Sequence, residues 1–186
     1  MSEVKFKNRY RIPSARASWH NYRQGIYFVT ICTQNREHYF GEIKGCETNE
    51  PTMVLSDIGR YADACWQSIP SHFPHVNTTL WVIMPNHIHG ILVINPFVET
   101  QNFASLRTDK NDEKSSQFGP QSKNLASVIR GFKIGVTKFA RKHHILFEWQ
   151  PRFHDHIIRD TDELNNVSYY IENNVAKWKE DVLYGE

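Results

Sequence analysis

The stretch Thr78–Ile94 constrains the fold more than any other part of the chain. Two runs rich in β-branched and aromatic residues, Thr78–Met84 and His87–Ile94, flank Pro85–Asn86, a pair with turn chemistry. They read as consecutive strands. Ile26–Thr33 has the near-continuous apolar character of a further strand covered on both faces, and a short one around His38–Ile43 follows a polar turn. Ile145–Trp149 and Phe153–Ile158 carry the same signal more weakly.

Between these runs the apolar period changes to helical. Ser56–Asp57 opens a helix with Ile58, Tyr61, Ala62, Cys65, Trp66 and Ile69 spaced three to four apart, which Pro70 stops. Asn124 is suited to cap a helix to about Lys142, with Leu125, Val128, Ile129, Phe132, Val136, Phe139 and Ala140 on one stripe. Asp160 and Glu163 have the spacing of a capping box that starts a last helix, predicted to reach Trp178. Runs of strands with interspersed helices argue for an α+β fold: an antiparallel sheet with helices packed on it. Residues 1–186 fit one domain, with a basic arm over 1–24 and a polar inserted loop over about 95–123.

Apolar residues make up 40% of the chain and aromatics 13%, so it buries a core rather than staying disordered. No run approaches the ~20 apolar residues that span a bilayer, so a membrane partner is not expected. Cys32, Cys46 and Cys65 are odd in number and lack CxxC spacing, as reduced thiols of the cytoplasm would be. The net charge is only +2, but its distribution is uneven. Residues 1–25 hold six basic side chains against one acidic, and 124–160 hold seven against three. Two basic segments on a nearly neutral chain suit a local phosphate-binding surface as well as they suit ordinary solvated charge.

The chemistry-bearing motif is His87–Ile88–His89. Alternation along a strand sends both imidazoles to one face and Ile88 to the other. Two such rings on a rigid strand can grip one metal from one side and leave the other side open. By itself, the motif is equally at home among core or surface histidines. On the last helix, at ~100° per residue, Tyr170 falls at the edge of the apolar stripe, with Asn174 one turn on; Tyr169 points towards solvent. Periodicity alone leaves Tyr170 open as a boundary aromatic.

Three separated segments, WVIMPNHIHGILVI, SVIRGFKIGVTKFARK and FEWQPRFHDHIIRDTDELNNVSYYIENNVAKW, together with IPSAR and YFVTICTQNREHYFGEI, resemble the REP-associated tyrosine transposases of the single-tyrosine HUH superfamily. The resemblance covers nearly the whole chain and implies a ferredoxin-like, RRM-like sheet. His87 and His89 match the family's His-hydrophobe-His strand. The family's Tyr-Ile-x-x-Asn-Pro run is matched from Tyr170 to Asn174, with Val175 where the family has proline.

The resemblance implies Tyr170 as nucleophile and His87, His89 and Asn174 as ligands of Mg²⁺ or Mn²⁺, zinc not being excluded by ligand type. It implies cleavage and rejoining of single-stranded, hairpin-bearing DNA through a 5′-phosphotyrosine. It also implies a cytoplasmic, nucleoid-associated protein, monomeric or a homodimer whose Tyr170 serves its partner's site.

Arg11 and Arg16 (with Arg9), Arg130, Lys133, Arg141, Arg152, His154 and Arg159 are the expected DNA contacts. Trp149 and Phe153 read equally as base-stacking rings or as core. His154 and His156 make a second His-x-His, expected to face DNA or to support the metal ligands from behind rather than to bind metal. Two other readings stay open: a domesticated, non-catalytic hairpin-binding protein, and a zinc hydrolase built on His87 and His89, which gives Tyr170 no task.

Overall fold

The computed structural model describes residues 20–45, 50–96 and 124–184, and the backbone of 5–6 and 9–10. The side chains of Arg9, Arg11 and Arg16, Cys46, and nearly all of the expected inserted loop lie outside the described residues.

In chain order the elements are β1 (Lys5–Phe6), β2 (Arg9–Tyr10), β3 (Gly25–Cys32), β4 (Gly41–Lys44), β5 (Thr52–Leu55), α1 (Asp57–Gln67), α2 (Ile69–His72), β6 (Val76–Ile83), β7 (His87–Ile94), α3 (Leu125–Lys142), β8 (His154–Ile158) and α4 (Thr161–Asn173). Four strands form an antiparallel sheet in the order β6-β7-β3-β8. The fold class is α+β, as the periodicities require.

The helices start where capping chemistry puts them. Ser56 accepts the Gly59 N–H at the head of α1, Asn124 and Ser127 complete a capping box on α3, and Asp160 accepts the Glu163 N–H on α4. The reciprocal arm of the α4 box goes elsewhere: the Glu163 carboxylate accepts from the Arg159 N–H and lies against His156.

Four expectations are corrected. The strand near His38–Ile43 lies at Gly41–Lys44 and pairs with Thr52–Leu55, a strand whose short run gives too little period to read. Pro70 does not end α1, which stops at Gln67; it sits in the first turn of α2, where its missing N–H costs nothing. Ile145–Trp149 alternates as a strand should, but only Trp149 forms a bridge, to Thr33, because β3 ends there and offers no longer partner. The last helix ends at Asn173, not Trp178: the chain tightens into a 3-10 turn over Trp178–Glu180, which seats the Trp178 ring against His87 and His38.

Register fixes what each face carries. One face presents Tyr27, Val29, Ile31, Ile88 and Leu92 to α1 and α3, whose Ala62, Trp66, Val128, Phe132 and Val136 close the main core. Gly90 is required there, since a Cβ would lie 2.3 Å from the Trp66 ring. The opposite face carries Phe28, Thr30, His87, His89 and Ile91 beneath α4. Its apolar cluster is small: Ile91, Ile158 and Ile171, edged by Ile26, Phe28, Leu80, Val82, Leu164 and Val167.

Candidate active site and metal centre

His87 and His89 stand on adjacent same-face positions of β7, with ring centroids 4.4 Å apart. Both are buried, at 0% and 3% exposure, although imidazole is costly to desolvate. Burial therefore holds both rings neutral: His87 well below its ordinary pKa, helped by the nearby His89, and His89 down to about 4 despite the opposing charge of Asp181. A neutral imidazole is the ligand form.

Their hydrogen bonds aim the free nitrogens. His87 Nδ1 is 2.7 Å from the Asn86 side-chain oxygen, whose amide nitrogen donates to the Leu183 carbonyl. The Asn86 oxygen can only accept, so Nδ1 carries the hydrogen and Nε2 presents a lone pair. That Nε2 is buried without a hydrogen-bond partner. His89 Nδ1 meets the Thr30 hydroxyl at 2.9 Å, and its Nε2 faces the Tyr170 hydroxyl at 3.1 Å. Phe28 stacks on His89 and meets Tyr170 edge-on, fixing both rings.

Tyr170 and Asn174 reach the histidines from the end of α4. Tyr170 remains 40% exposed, whereas Asn174 is buried. Between them lies Asp181, beyond the 3-10 turn. Its Oδ2 accepts from the Tyr170 hydroxyl at 3.1 Å and from the Asn174 amide at 2.9 Å, while its Oδ1 accepts from the Leu183 N–H at 2.6 Å. Asn174 Oδ1, like His87 Nε2, is buried with no partner. Burial and the Asp181 charge raise the Tyr170 pKa to about 12. The His87, His89 and Asp181 ligand atoms lie within 4.8 Å of one another. Two orphaned buried acceptors beside a carboxylate and a second imidazole fit a divalent cation, since each would otherwise be an unrelieved desolvation cost.

No family model matches the chain. An uncharacterized protein of Haemophilus influenzae is 39% identical over 173 residues, 92% of this chain and 92% of its own. A second H. influenzae protein, whose name makes it a provisional REP-associated tyrosine transposase, is 28% identical over 164 residues, 84% of this chain and 76% of its own. A solved REP-associated tyrosine transposase, bound to a REP hairpin, matches 91% of this chain and 74% of its own with a TM-score of 0.56 at 18% identity.

The chain is similar to proteins named as REP-associated tyrosine transposases, and it shares its fold with the solved one.

In this chain the site residues expected from the resemblance, His87, His89, Tyr170 and Asn174, lie together. The expected DNA contacts are dispersed. Arg130 and Arg141 are exposed on α3, the layer across the sheet from the histidines. Arg152, His154 and Arg159 are exposed along the β8 edge; Thr30 pairs with His89 on one side and His154 on the other, so His154 shares the histidine face. Lys133 is turned inward onto backbone carbonyls. His156 approaches Glu163 at 3.3 Å on the same edge. Arg11 and Arg16 fall outside the described residues. Among the described residues, no helix is long and apolar enough to cross a membrane.

Asp181 is the residue that sequence reasoning missed. The only signal was an acidic side chain shortly after Trp178, in a stretch without period.

Proposed function

We propose that this protein is a metal-dependent single-strand DNA endonuclease and strand transferase, acting on hairpin-bearing DNA through a 5′-phosphotyrosine at Tyr170. The observation that carries the reading is the Tyr170 hydroxyl, 3.1 Å from both His89 Nε2 and Asp181 Oδ2, beside the orphaned acceptors of His87 and Asn174. The REP hairpin held by the solved relative supports DNA of that class as substrate.

Tyr170 attacks the phosphorus in line. The new bond joins its oxygen to phosphorus, the bond to the 3′-oxygen breaks, and that oxygen leaves as a 3′-hydroxyl after taking a proton. Asp181, already accepting the phenol hydrogen, receives the proton that Tyr170 gives up. The linkage keeps the phosphoester, so a second 3′-hydroxyl can reverse the step and rejoin strands. His87 Nε2, His89 Nε2 and Asn174 Oδ1 would hold the cation beside the Asp181 carboxylate, a mixed nitrogen–oxygen set suited to Mn²⁺ or Mg²⁺. When bound, the cation supplies positive charge that stabilises phenolate and the nonbridging phosphate oxygens.

Incubation with hairpin-bearing oligonucleotides and Mn²⁺ tests the proposal. The expected result is a denaturant-resistant protein–DNA band that Tyr170→Phe abolishes while equilibrium binding persists. Binding without a band from the wild type would instead support the non-catalytic hairpin-binding reading.

A further inference from the structure

We propose that the bulge between Trp149 and His154 is a phosphate-binding subsite for the single strand, with Arg152 making the contact and Lys133 positioning the loop. The inference rests on the strand-cleaving reading above, but its test separates the two.

Thr33 bridges Trp149 and Thr30 pairs with His154, so three steps along β3 are matched by five on the outer chain. Two additional residues are thus accommodated beside β3, and bulges of this kind re-aim the side chains they carry. Arg152 sits there at φ +71°, a left-handed backbone that a side-chain-bearing residue adopts only when its surroundings impose it.

Lys133 supplies that constraint from α3. Its ammonium donates to the carbonyl of Gln150 at 2.9 Å and to that of Arg152, and stands 5.4 Å over the Trp149 ring. Lys133's own carbonyl accepts from Trp149 Nε1 and from the Thr137 hydroxyl, tying ring, helix and loop together. Burial lowers the Lys133 pKa to about 8. An ammonium already engaged by two carbonyls and a ring is poorly placed to meet a phosphate itself, which moves Lys133 from the contacts expected from sequence to a positioning role.

The loop leads into the edge strand of the sheet at His154. His154, at its end, shares a row and a face with Thr30 and His89, two strand spacings away, roughly 10 Å. Arg152 and His154 are both exposed. An exposed guanidinium two residues from His154, on the open β8 edge, suits a backbone phosphate.

The test is a salt titration of binding to a labelled hairpin oligonucleotide with a single-stranded flank, using the full chain carrying Tyr170→Phe so that the strand stays intact. Each phosphate contact contributes about 0.7 to the slope of log affinity against log salt for single strands. Arg152→Ala should lower the slope by about one such contact. Lys133→Met should lower it by the same amount, and the double variant by no more than either. Lys133→Gln, read the same way, replaces Lys133→Met if that protein does not fold.

Additive slope losses would mean that Lys133 meets a phosphate itself, and would overturn the positioning role. An unchanged slope in Arg152→Ala, or no binding to the probe, would overturn the subsite. This slope pattern in the Tyr170→Phe series, with no covalent band from the chain bearing Tyr170, leaves the subsite standing and sinks the cleavage reading; a band without the pattern does the reverse.

Discussion

The two faces of the sheet are drawn from the same strands, alternate residue by alternate residue, yet they are built for different ends. Toward α1 and α3 the face is hydrocarbon: Tyr27, Val29, Ile31, Ile88 and Leu92 are fully buried, and Gly90 yields its side-chain space to Trp66. Toward α4 the same strands bury His87 and His89, and the apolar cluster shrinks to three isoleucines with a partly exposed margin. A single strand, β7, thus carries core side chains on its even positions and the buried imidazoles on its odd ones. The burial on the first face offsets the cost of desolvating unsatisfied polar atoms on the second.

That division can be broken from either side. The largest expected effect is on the hydrocarbon face: Leu92→Ala should cost about 2–5 kcal/mol in denaturant unfolding, with Mn²⁺ binding kept by the protein that remains folded. A loss of metal affinity matching the loss of stability would show that the faces are not separable.

On the other face, acid should act through the buried imidazoles. His89 titrates at about 4 when folded, below its ordinary 6.5. Between those values the unfolded chain takes up a proton that the folded chain refuses. Stability from this residue is therefore complete above pH 6.5 and falls as pH drops towards 4, by about 3 kcal/mol. Unfolding measured in chelator across that range checks it: His89→Gln should flatten the dependence relative to wild type, whereas Leu92→Ala should leave its shape intact. Equal slopes in wild type and His89→Gln would contradict the assignment.

Metal binding sharpens the contrast further. At a hundredfold excess over its Kd, Mn²⁺ should add about 2.7 kcal/mol to the folding stability of the wild type, seen as a rise in Tm. His87→Ala should lose that increment. If His156→Ala loses it instead, the ligand strand is β8 rather than β7.

Much of this was legible before any tertiary structure. The caps at Ser56, Asn124 and Asp160, the β7 strand, the span of α3 and the common face of His87 and His89 all follow from short-range rules, because capping and alternation act over one to four residues. Where a reading failed, the deciding partner was distant in sequence. Ile145–Trp149 has a strand's alternation but nothing beyond Thr33 to pair with, and the last helix gives way at Asn173 where Trp178 packs on His87 and His38.

The amino-acid sequence by itself determined the principal helices and sheet strands, the facing of the histidines, and Tyr170 and Asn174 as a pair one helical turn apart. Only the tertiary structure decided that Asp181 joins them, that Lys133 turns inward to hold a bulge, and that Arg130 and Arg141 stand across the sheet from the histidines. The reason is range: helical and strand periods report which way a side chain points from its own element. Whether two such directions meet depends on how the sheet, α4 and the segment after it pack together.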